Sequence, residues 1–342
     1  MQVLQFTDKG IYCPAGDFYI DPWQPVQRAV ITHAHSDHAR IGSQHYLCHH
    51  DSIPLLRLRL GEDISVQGAA FGETIRYNGV TISLHPAGHI IGSSQIRVQQ
   101  DNEVWVVSGD YKVEDDGISG QFEPVSCNTF ITESTFGLPI YNWQPQTVIF
   151  DNIKQWITEN QQAGKHSVLL GYSLGKAQRL LYHLKDVTEQ IWAHGAVYIV
   201  NEVLRNNGWP LPEIHRITPD TPKSAYKNNL IIGPPSAADS SWMKRFNPYA
   251  LGVCSGWMQV RGNMRRRNAD AGFALSDHAD WNGLLQAVKA TGAEKVYTTH
   301  GFSSVFARYL TDNGIPAEEV KTAYGDTDEE LNIPTETITD PV

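Results

Sequence analysis

The segment His33-Ala34-His35-Ser36-Asp37-His38 puts four ligand-type side chains into six positions, directly after the strand-like run RAVIT. Side chains alternate along a strand, so residues two apart leave its end pointing the same way. His33 and His35 can therefore grip one metal ion, and past the turn Asp37 and His38 can serve a second. Imidazole combined with carboxylate suits zinc, manganese or iron. A lone histidine reads more readily as a packed or surface residue, but that reading does not extend to this density at a strand end. Further ligand-type residues stand at other strand ends: His89 in PAGHIIGSS, Asp110 in VWVVSGDYK, Glu133 in TFITEST, His278 in LSDHAD and His300 in VYTTHG. Each of these taken singly is as readily structural as chemical.

The elements that must position them follow from local patterning. Up to about residue 145 the chain is a series of short β-type runs (DFYID, RAVIT, VTISLH, SQIRVQ, EVWVVS, TFITE) separated by Gly, Pro and Asp turns. From Gln146 the character changes. Val148, Ile149, Ile153, Trp156 and Ile157 give a helical apolar face, followed by strand SVLL and the helix-like LGKAQRLLYHL. The runs AVYIV, EVLRNNG and NLIIG then predict strand, helix and strand, the logic of a parallel α/β unit. From Ala250 β-type runs return in LGVCSG and KVYTTHG, with helices predicted from about Trp281 and Ser303. This predicts a discontinuous β-rich α/β domain over residues 1–145 and 251–325, an inserted α/β domain over 146–250, and an acidic tail over 326–342.

Composition narrows the class. Of the 342 residues, 41% are hydrophobic and 19% charged, enough apolar material for a packed core and too little charge for a disordered chain. No apolar run reaches membrane-spanning length, and MQVLQFTDKG lacks a secretory n-region and h-region, so the expected location is the cytoplasm, with no membrane partner. Cys13, Cys48, Cys127 and Cys254 are scattered without a CxxC pair, which reads as packing cysteines. The net charge of −10 argues against a nucleic-acid partner until its distribution is considered. Thr311–Val342 carries nine acids against Lys321 alone, a net −8, which leaves the other 310 residues at −2. The body is nearly neutral, and its charge can be patchy.

The combined set resembles the metallo-β-lactamase fold, whose metal motifs are HxHxDH, a later His after a Gly, an Asp at a strand end and a final His. Glu133, the GYSLGKAQ segment and His278 resemble landmarks of the β-CASP subgroup, nucleases of DNA or RNA with an inserted cap. Longer strings (FYIDPWQPVQRAVITHAHSDHAR, HPAGHIIGSSQ, SGDYK, ITESTFGLPIY, SGWMQVRGNMRRR, GFALSDHADW) are similar to bacterial DNA ligase-associated DNA exonucleases. The resemblance spans about residues 10–325. It implies an αββα sandwich with an inserted β-CASP cap, two divalent ions (zinc or manganese), and a DNA substrate, either single-stranded or a duplex end. It also implies a functional association with an ATP-dependent DNA ligase and a repair helicase.

Carried over by motif, the resemblance assigns His33, His35 and His89 to one metal. It assigns Asp37, His38 and His300 to the other, with Asp110 between them and Asp21 orienting a ligand from outside the metal sphere. The resemblance implies that the ions would supply an activated hydroxide for attack on phosphorus, that His278 would protonate the leaving oxygen and that Glu133 would orient His278. DNA-crosslink-repair and Artemis-type relatives have a non-ligand where this chain has His300, whereas RNA-processing members have His. An RNase J-like RNA nuclease therefore stays open as an alternative. A catalytically silent nucleic-acid-binding subunit is a further one, although silent members typically lose ligands and this chain has the full set.

Other candidates read more plainly. His85 precedes His89 but matches no ligand position; His45, His49 and His50 read as surface, and His166, His183, His194 and His215 as incidental. Gly171-Tyr172-Ser173-Leu174-Gly175 fits the serine-hydrolase elbow G-x-S-x-G, a short pattern that the HxHxDH set does not accompany. In the β-CASP reading the same turn lets Ser173 and Lys176 meet a substrate phosphate at a helix N-terminus. Arg261, Arg265, Arg266 and Arg267 lie in seven residues with no acid among them and Trp257 just before. Such a run is often only a solvated face; beside this site it is expected to bind phosphate.

Overall fold

The computed structural model describes residues 2–238, 240–260, 262 and 268–322. Arg261, Arg265, Arg266 and Arg267, and the acidic tail 326–342, lie outside the described residues. The chain is mixed α/β and divides into two compact units: Met1–Asn142 with the stretch beginning at His278, and Trp143–Asp277.

The first unit contains two sheets. One orders Gln5–Thr7, Gly10–Cys13, Phe18–Ile20, Arg28–Val30, His45–His49 and Val66–Ala69 side by side. The other orders Ala317–Glu319, Lys295–Thr299, Thr129–Glu133, Glu103–Val107, Ser94–Gln100, Val80–Pro86 and Ile75–Tyr77. Alternation along these strands explains how they share a core. Trp105, Val107, Ile131 and Tyr297 face Ile11, Phe18, Ile20, Val30 and Leu47 of the first sheet. The intervening Val106, Phe130 and Val296 face the other way, into a layer made with Trp281, Leu284, Val288, Phe306 and Leu310. Those last five residues come from helices Trp281–Thr291 and Ser303–Asp312, whose apolar positions recur at helical spacing. The strands that carry Glu133, Asp110 and His300 at or just beyond their C-terminal ends are thus clamped between two apolar layers.

The second unit is built on a parallel sheet ordered His215–Arg216, Ile191–Ala193, Leu230–Gly233, His166–Leu170, Tyr249–Cys254 and Ala271–Phe273. Leu169 and Ile232 face the helices Gln146–Gln162, Lys176–Leu184 and Gly195–Asn206. Val168, Leu170 and Ile231 face Tyr226, Trp242 and Phe246 on the opposite side. The pairing of His166–Leu170 with Tyr249–Cys254, and of that strand with Ala271–Phe273, takes this sheet past residue 250, where the sequence sets the end of the inserted domain.

One element differs from expectation. AVYIV, predicted as a strand, lies inside helix Gly195–Asn206. Its β-branched residues favour extended structure locally, but Val197, Val200, Asn201 and Leu204 recur at helical spacing and are buried. The strand at that place in the sheet is the shorter Ile191–Ala193.

Candidate metal centre

The structure brings the predicted ligand-type side chains together in three groups. In each, one nitrogen or oxygen per residue lies within 4.8 Å of the others: His33, His35, His89 and Asp110; Asp37, His38 and His300; and Asp110, Glu133 and His278. In the first group His35 Nδ1 is 3.1 Å from His33 Nε2 and 3.0 Å from His89 Nε2. Asp110 Oδ2 lies 3.5 Å from His33 Nε2 and 3.4 Å from His38 Nε2, so one carboxylate oxygen faces both of the first two groups. Asp37 Oδ2 approaches His38 Nε2 from another side at 3.5 Å.

These atoms fit a metal better than they fit one another. A neutral imidazole has a single N–H, yet His35 Nδ1 faces two ring nitrogens at once. Nitrogens ~2.0–2.1 Å from a tetrahedral cation lie ~3.3 Å apart and need no proton between them. Asp110 Oδ1 is buried and accepts no hydrogen bond among the described residues, an acceptor that a cation would satisfy. Neutral imidazoles with carboxylates are the donor set for zinc or manganese.

Local structure explains the convergence. The strand Arg28–Val30 ends just before Thr32, whose amide donates to Asp21 Oδ1 at 2.8 Å. Asp21 Oδ2 meets His38 Nδ1 at 2.7 Å, which turns His38 Nε2 toward Asp37 and Asp110. The Thr32 hydroxyl is also 3.0 Å from His33 Nδ1, leaving Nε2 of that ring to face the cluster. Asp110 follows Gly109, which has φ +56° and sits so close to Thr32 that a Cβ would lie 2.6 Å from the Thr32 Cβ. Only glycine lets the Asp110 turn approach this closely. On the far side His300 itself has φ 57°, a left-handed conformation uncommon outside glycine. It is held there by Ser134 Oγ, 2.7 Å from the His300 carbonyl oxygen, and by Thr299 Oγ1, 2.9 Å from its Nδ1.

Charge is arranged to match. Burial pushes the His33 imidazole well below the usual histidine range, and burial likewise lowers His300, so both are neutral and ready to ligate. Burial would lower His38 too, but Asp37, Asp110 and Asp21 hold it well above the usual range. Burial would raise the Asp110 carboxyl, yet His38, His300 and His278 hold it well below the usual carboxylate range. A proton at His38 thus occupies the middle of a carboxylate cluster suited to a cation.

Beside this lies the third group. His278 Nδ1 is 2.9 Å from Glu133 Oε2 and 3.0 Å from Oε1, with the carboxylate buried and the imidazole slightly exposed. The Tyr111 amide donates to Glu133 Oε1 at 2.7 Å, and the Tyr111 carbonyl accepts from Ala279 N at 2.7 Å. The backbone of one residue, Tyr111, therefore ties the Asp110 turn to both Glu133 and the His278 segment. The His278 and His89 ring centroids are 4.6 Å apart. Because Nδ1 faces Glu133, Nε2 lies on the other side of the ring.

Other predicted residues fall elsewhere. Lys176 Nζ is buried and paired with Asp277 Oδ2 at 2.8 Å, and Arg179 joins the same carboxylate at 3.3 Å. The structure places the Lys176 ammonium in this buried ion cluster. Ser173 is 3% exposed and its Oγ has no hydrogen-bond partner among the described residues. His85 pairs with Ser83 at 3.0 Å and belongs to none of the three groups. Sequence reasoning passed over Thr32, Ser134, Thr299 and Tyr111, which orient the ligand-type side chains. Hydroxyl residues directly preceding His33 and His300 were the available signal; the Tyr111 peptide carried none.

Comparison with known proteins gives distant relatives. No family model matches the chain. It is 30% identical over 310 residues to a "Probable DNA ligase" of Opitutus terrae, covering 90% of this chain and 30% of that one. It is 26% identical over 127 residues to "Endoribonuclease YSH1" of Saccharomyces cerevisiae, covering 36% of this chain and 16% of that one. The chain therefore spans less than a third of the length of these relatives. A solved protein of unknown function from Enterococcus faecalis V583 shares the fold, with a TM-score of 0.59 at 10% identity over 87% of this chain and 80% of that one. Among the described residues no helix is long and apolar enough to cross a membrane. At these identities the chain is a distant relative of the YSH1 endoribonucleases and of a segment of that ligase.

Proposed function

We propose that this chain is a metal-dependent nuclease of the metallo-β-lactamase/β-CASP kind, acting on DNA as an exonuclease in repair alongside a ligase. In this reading the first unit is the metal-binding sandwich and the second the inserted cap. The observation that carries it is the convergence of the Glu133–His278 pair and the two imidazole–carboxylate groups on one carboxylate, Asp110. A hydrolase needing only bound metal has no use for that added acid-and-orienter pair. The similarity to a ligase segment and to endoribonucleases supports the nucleic-acid substrate.

His33, His35 and His89 would hold one ion, Asp37, His38 and His300 the other, and Asp110 both. When bound, paired divalent cations acidify coordinated water and neutralise charge on a phosphodiester. The chain's own residues do the rest. Asp21 and Thr32 hold the His38 ring so that Nε2 faces inward. Glu133 fixes His278 through Nδ1, so that a proton held at Nε2 is delivered to the leaving oxygen. The Tyr111 amide holds Glu133 in turn.

The test is cleavage by chelator-stripped protein of 5′- and 3′-labelled single-stranded DNA and matched RNA, with manganese, zinc or magnesium added singly. Metal-dependent stepwise loss of DNA from one end, with RNA spared, is the expected result. Faster RNA cleavage would move the assignment to the RNase J-like reading, which the YSH1 similarity favours. No cleavage of either polymer with any metal would sink both.

A further inference from the structure

Arg59 lies in the last turn of helix Ile53–Leu60 and is only 8% exposed. A guanidinium stays ionised at any physiological pH, so burying one is costly unless its N–H groups find acceptors. Its Nη1 finds two, the Ala34 carbonyl at 2.6 Å and the Ala39 carbonyl at 3.3 Å. That nitrogen has two N–H bonds, one for each carbonyl. The two carbonyls bracket the segment that carries the ligand-type side chains. Ala34 lies between His33 and His35, and Ala39 directly follows His38. Within the bracket the Ala39 amide donates to the His35 carbonyl at 2.9 Å, which closes a turn containing Asp37 and His38.

The other end of the same helix reaches a second loop. Ser52, its N-cap residue, makes no side-chain cap bond; its hydroxyl donates instead to the Gly92 carbonyl at 2.9 Å. Gly92 has φ +79° and approaches so closely that a Cβ there would lie 2.5 Å from Ser52 Oγ. Gly92 belongs to the turn that holds His89. The Ser93 hydroxyl accepts the His89 amide at 3.0 Å, and the Ser93 amide donates to the Ile90 carbonyl at 2.9 Å. Leu55, Leu56 and Leu60 are buried between these two contacts and fix the helix in place. One element ~12 Å long therefore touches both loops that supply His33, His35 and His89.

We propose that Arg59 is a positioning residue for the metal centre, clamping the loop between the ligands of one ion and those of the other. The proposal rests on the metal-dependent reading of the site. The separation of the Ala34 and Ala39 carbonyls sets where His33 and His35 stand relative to Asp37 and His38. Arg59 fixes that separation by drawing both carbonyls to one nitrogen, and Ser52 ties the His89 turn to the same helix. Outer groups that orient ligands in this way govern how tightly a metal is held. Lysine is a poor substitute, because its ammonium ends one bond short of Nη1 and lacks the planar fork. The device is the placement of the donor rather than its charge. Arg57, two residues earlier on the same helix, carries the same charge and is exposed.

The experiment uses the chelator-stripped full chain. Zinc affinity is measured by competition with a chromophoric chelator, and ligand geometry by the visible absorption of the cobalt-loaded protein. Arg59→Ala should bind zinc about 10- to 100-fold more weakly and shift the cobalt spectrum. Arg59→Lys, which keeps the charge and most of the stem and so guards against a truncation that fails to fold, should fall between Arg59→Ala and the wild type. Guanidinium added to Arg59→Ala at sub-denaturing concentration should restore part of the affinity, and Arg57→Ala should match the wild type. Wild-type affinity and spectrum in both Arg59 variants, even with a lowered melting temperature, would make the residue merely structural and overturn the proposal. With a wild type that cleaves normally, that result leaves the nuclease reading intact. An equal loss in Arg57→Ala would trace the effect to charge alone and also overturn it. Zinc binding that depends on Arg59 in a protein that cleaves no nucleic acid would keep the clamp and overturn the nuclease reading. No zinc or cobalt binding by the wild type would overturn both.

Discussion

Asp21→Asn is the most informative single change, because the site gives the amide no good orientation. Asp21 Oδ1 accepts the buried Thr32 amide at 2.8 Å, and Oδ2 meets His38 Nδ1 at 2.7 Å. If the amide oxygen of Asn keeps Thr32, its NH2 faces His38 Nδ1. That forces the imidazole proton onto Nε2, the atom directed at Asp37 and Asp110, where a metal would bind. If the amide flips, its NH2 faces the Thr32 N–H and leaves a buried donor unsatisfied, at a cost of about 1–3 kcal/mol. Asp21 has φ 42°, which Asn tolerates, so the backbone adds no strain of its own. Loss of an orienting partner of this kind weakens metal binding about 10–100-fold, which corresponds to ~1.4–2.7 kcal/mol. Competition with a chromophoric chelator measures the affinity, and thermal unfolding of the chelated protein measures the stability. A weaker site, a lower melting temperature or both is the expected outcome. A variant that binds metal as tightly as the wild type and melts at the same temperature would refute the claim that Asp21 directs His38 toward a metal.

The remaining expectations concern the same centre. Asp110→Ala removes the oxygen facing both groups, so the purified variant should carry less metal than the wild type and cleave nothing; full metal content by elemental analysis would speak against a shared ligand. Glu133→Gln should keep its metal while the rate falls by about 10²–10⁴, measured under single-turnover conditions. Metal loss in that variant would instead assign the pair to coordination. His38 is raised well above the usual histidine range in the metal-free chain, so its ion pairs stabilise the fold below the ordinary value and that contribution is lost as pH rises through the raised one. Metal must displace the same proton, so calorimetry in buffers of different ionisation enthalpy should register proton release near neutral pH, fading at higher pH. No release near neutrality would place the proton elsewhere. Replacing Arg265, Arg266 and Arg267 with Ala should weaken oligonucleotide binding and flatten its salt dependence; an unchanged slope would make the run a solvated face.

The grouping of ligand-type side chains was legible in the sequence because its spacing is short and local: four such residues after one strand are visible without any tertiary information. The later members were legible only as a set, since His89, Asp110 and His300 each end a turn or strand whose partner lies far along the chain. What stayed hidden was of two kinds. AVYIV has strand composition, and only the burial of Val197, Val200 and Leu204 along one helix face overrides it. Lys176 has the type and position of a phosphate ligand, and nothing local announces its ion pair with Asp277, about a hundred residues later in the chain. Local pattern reports which side chains are available; long-range pairing decides how they are used.

The most direct test of the account is anomalous diffraction from crystals grown with manganese or zinc. Two peaks ~3.5–4 Å apart are predicted, one among His33, His35 and His89, the other among Asp37, His38 and His300, with Asp110 touching both and His278 touching neither. A single ion, an ion ligated by His278, or no ion at these residues would contradict it.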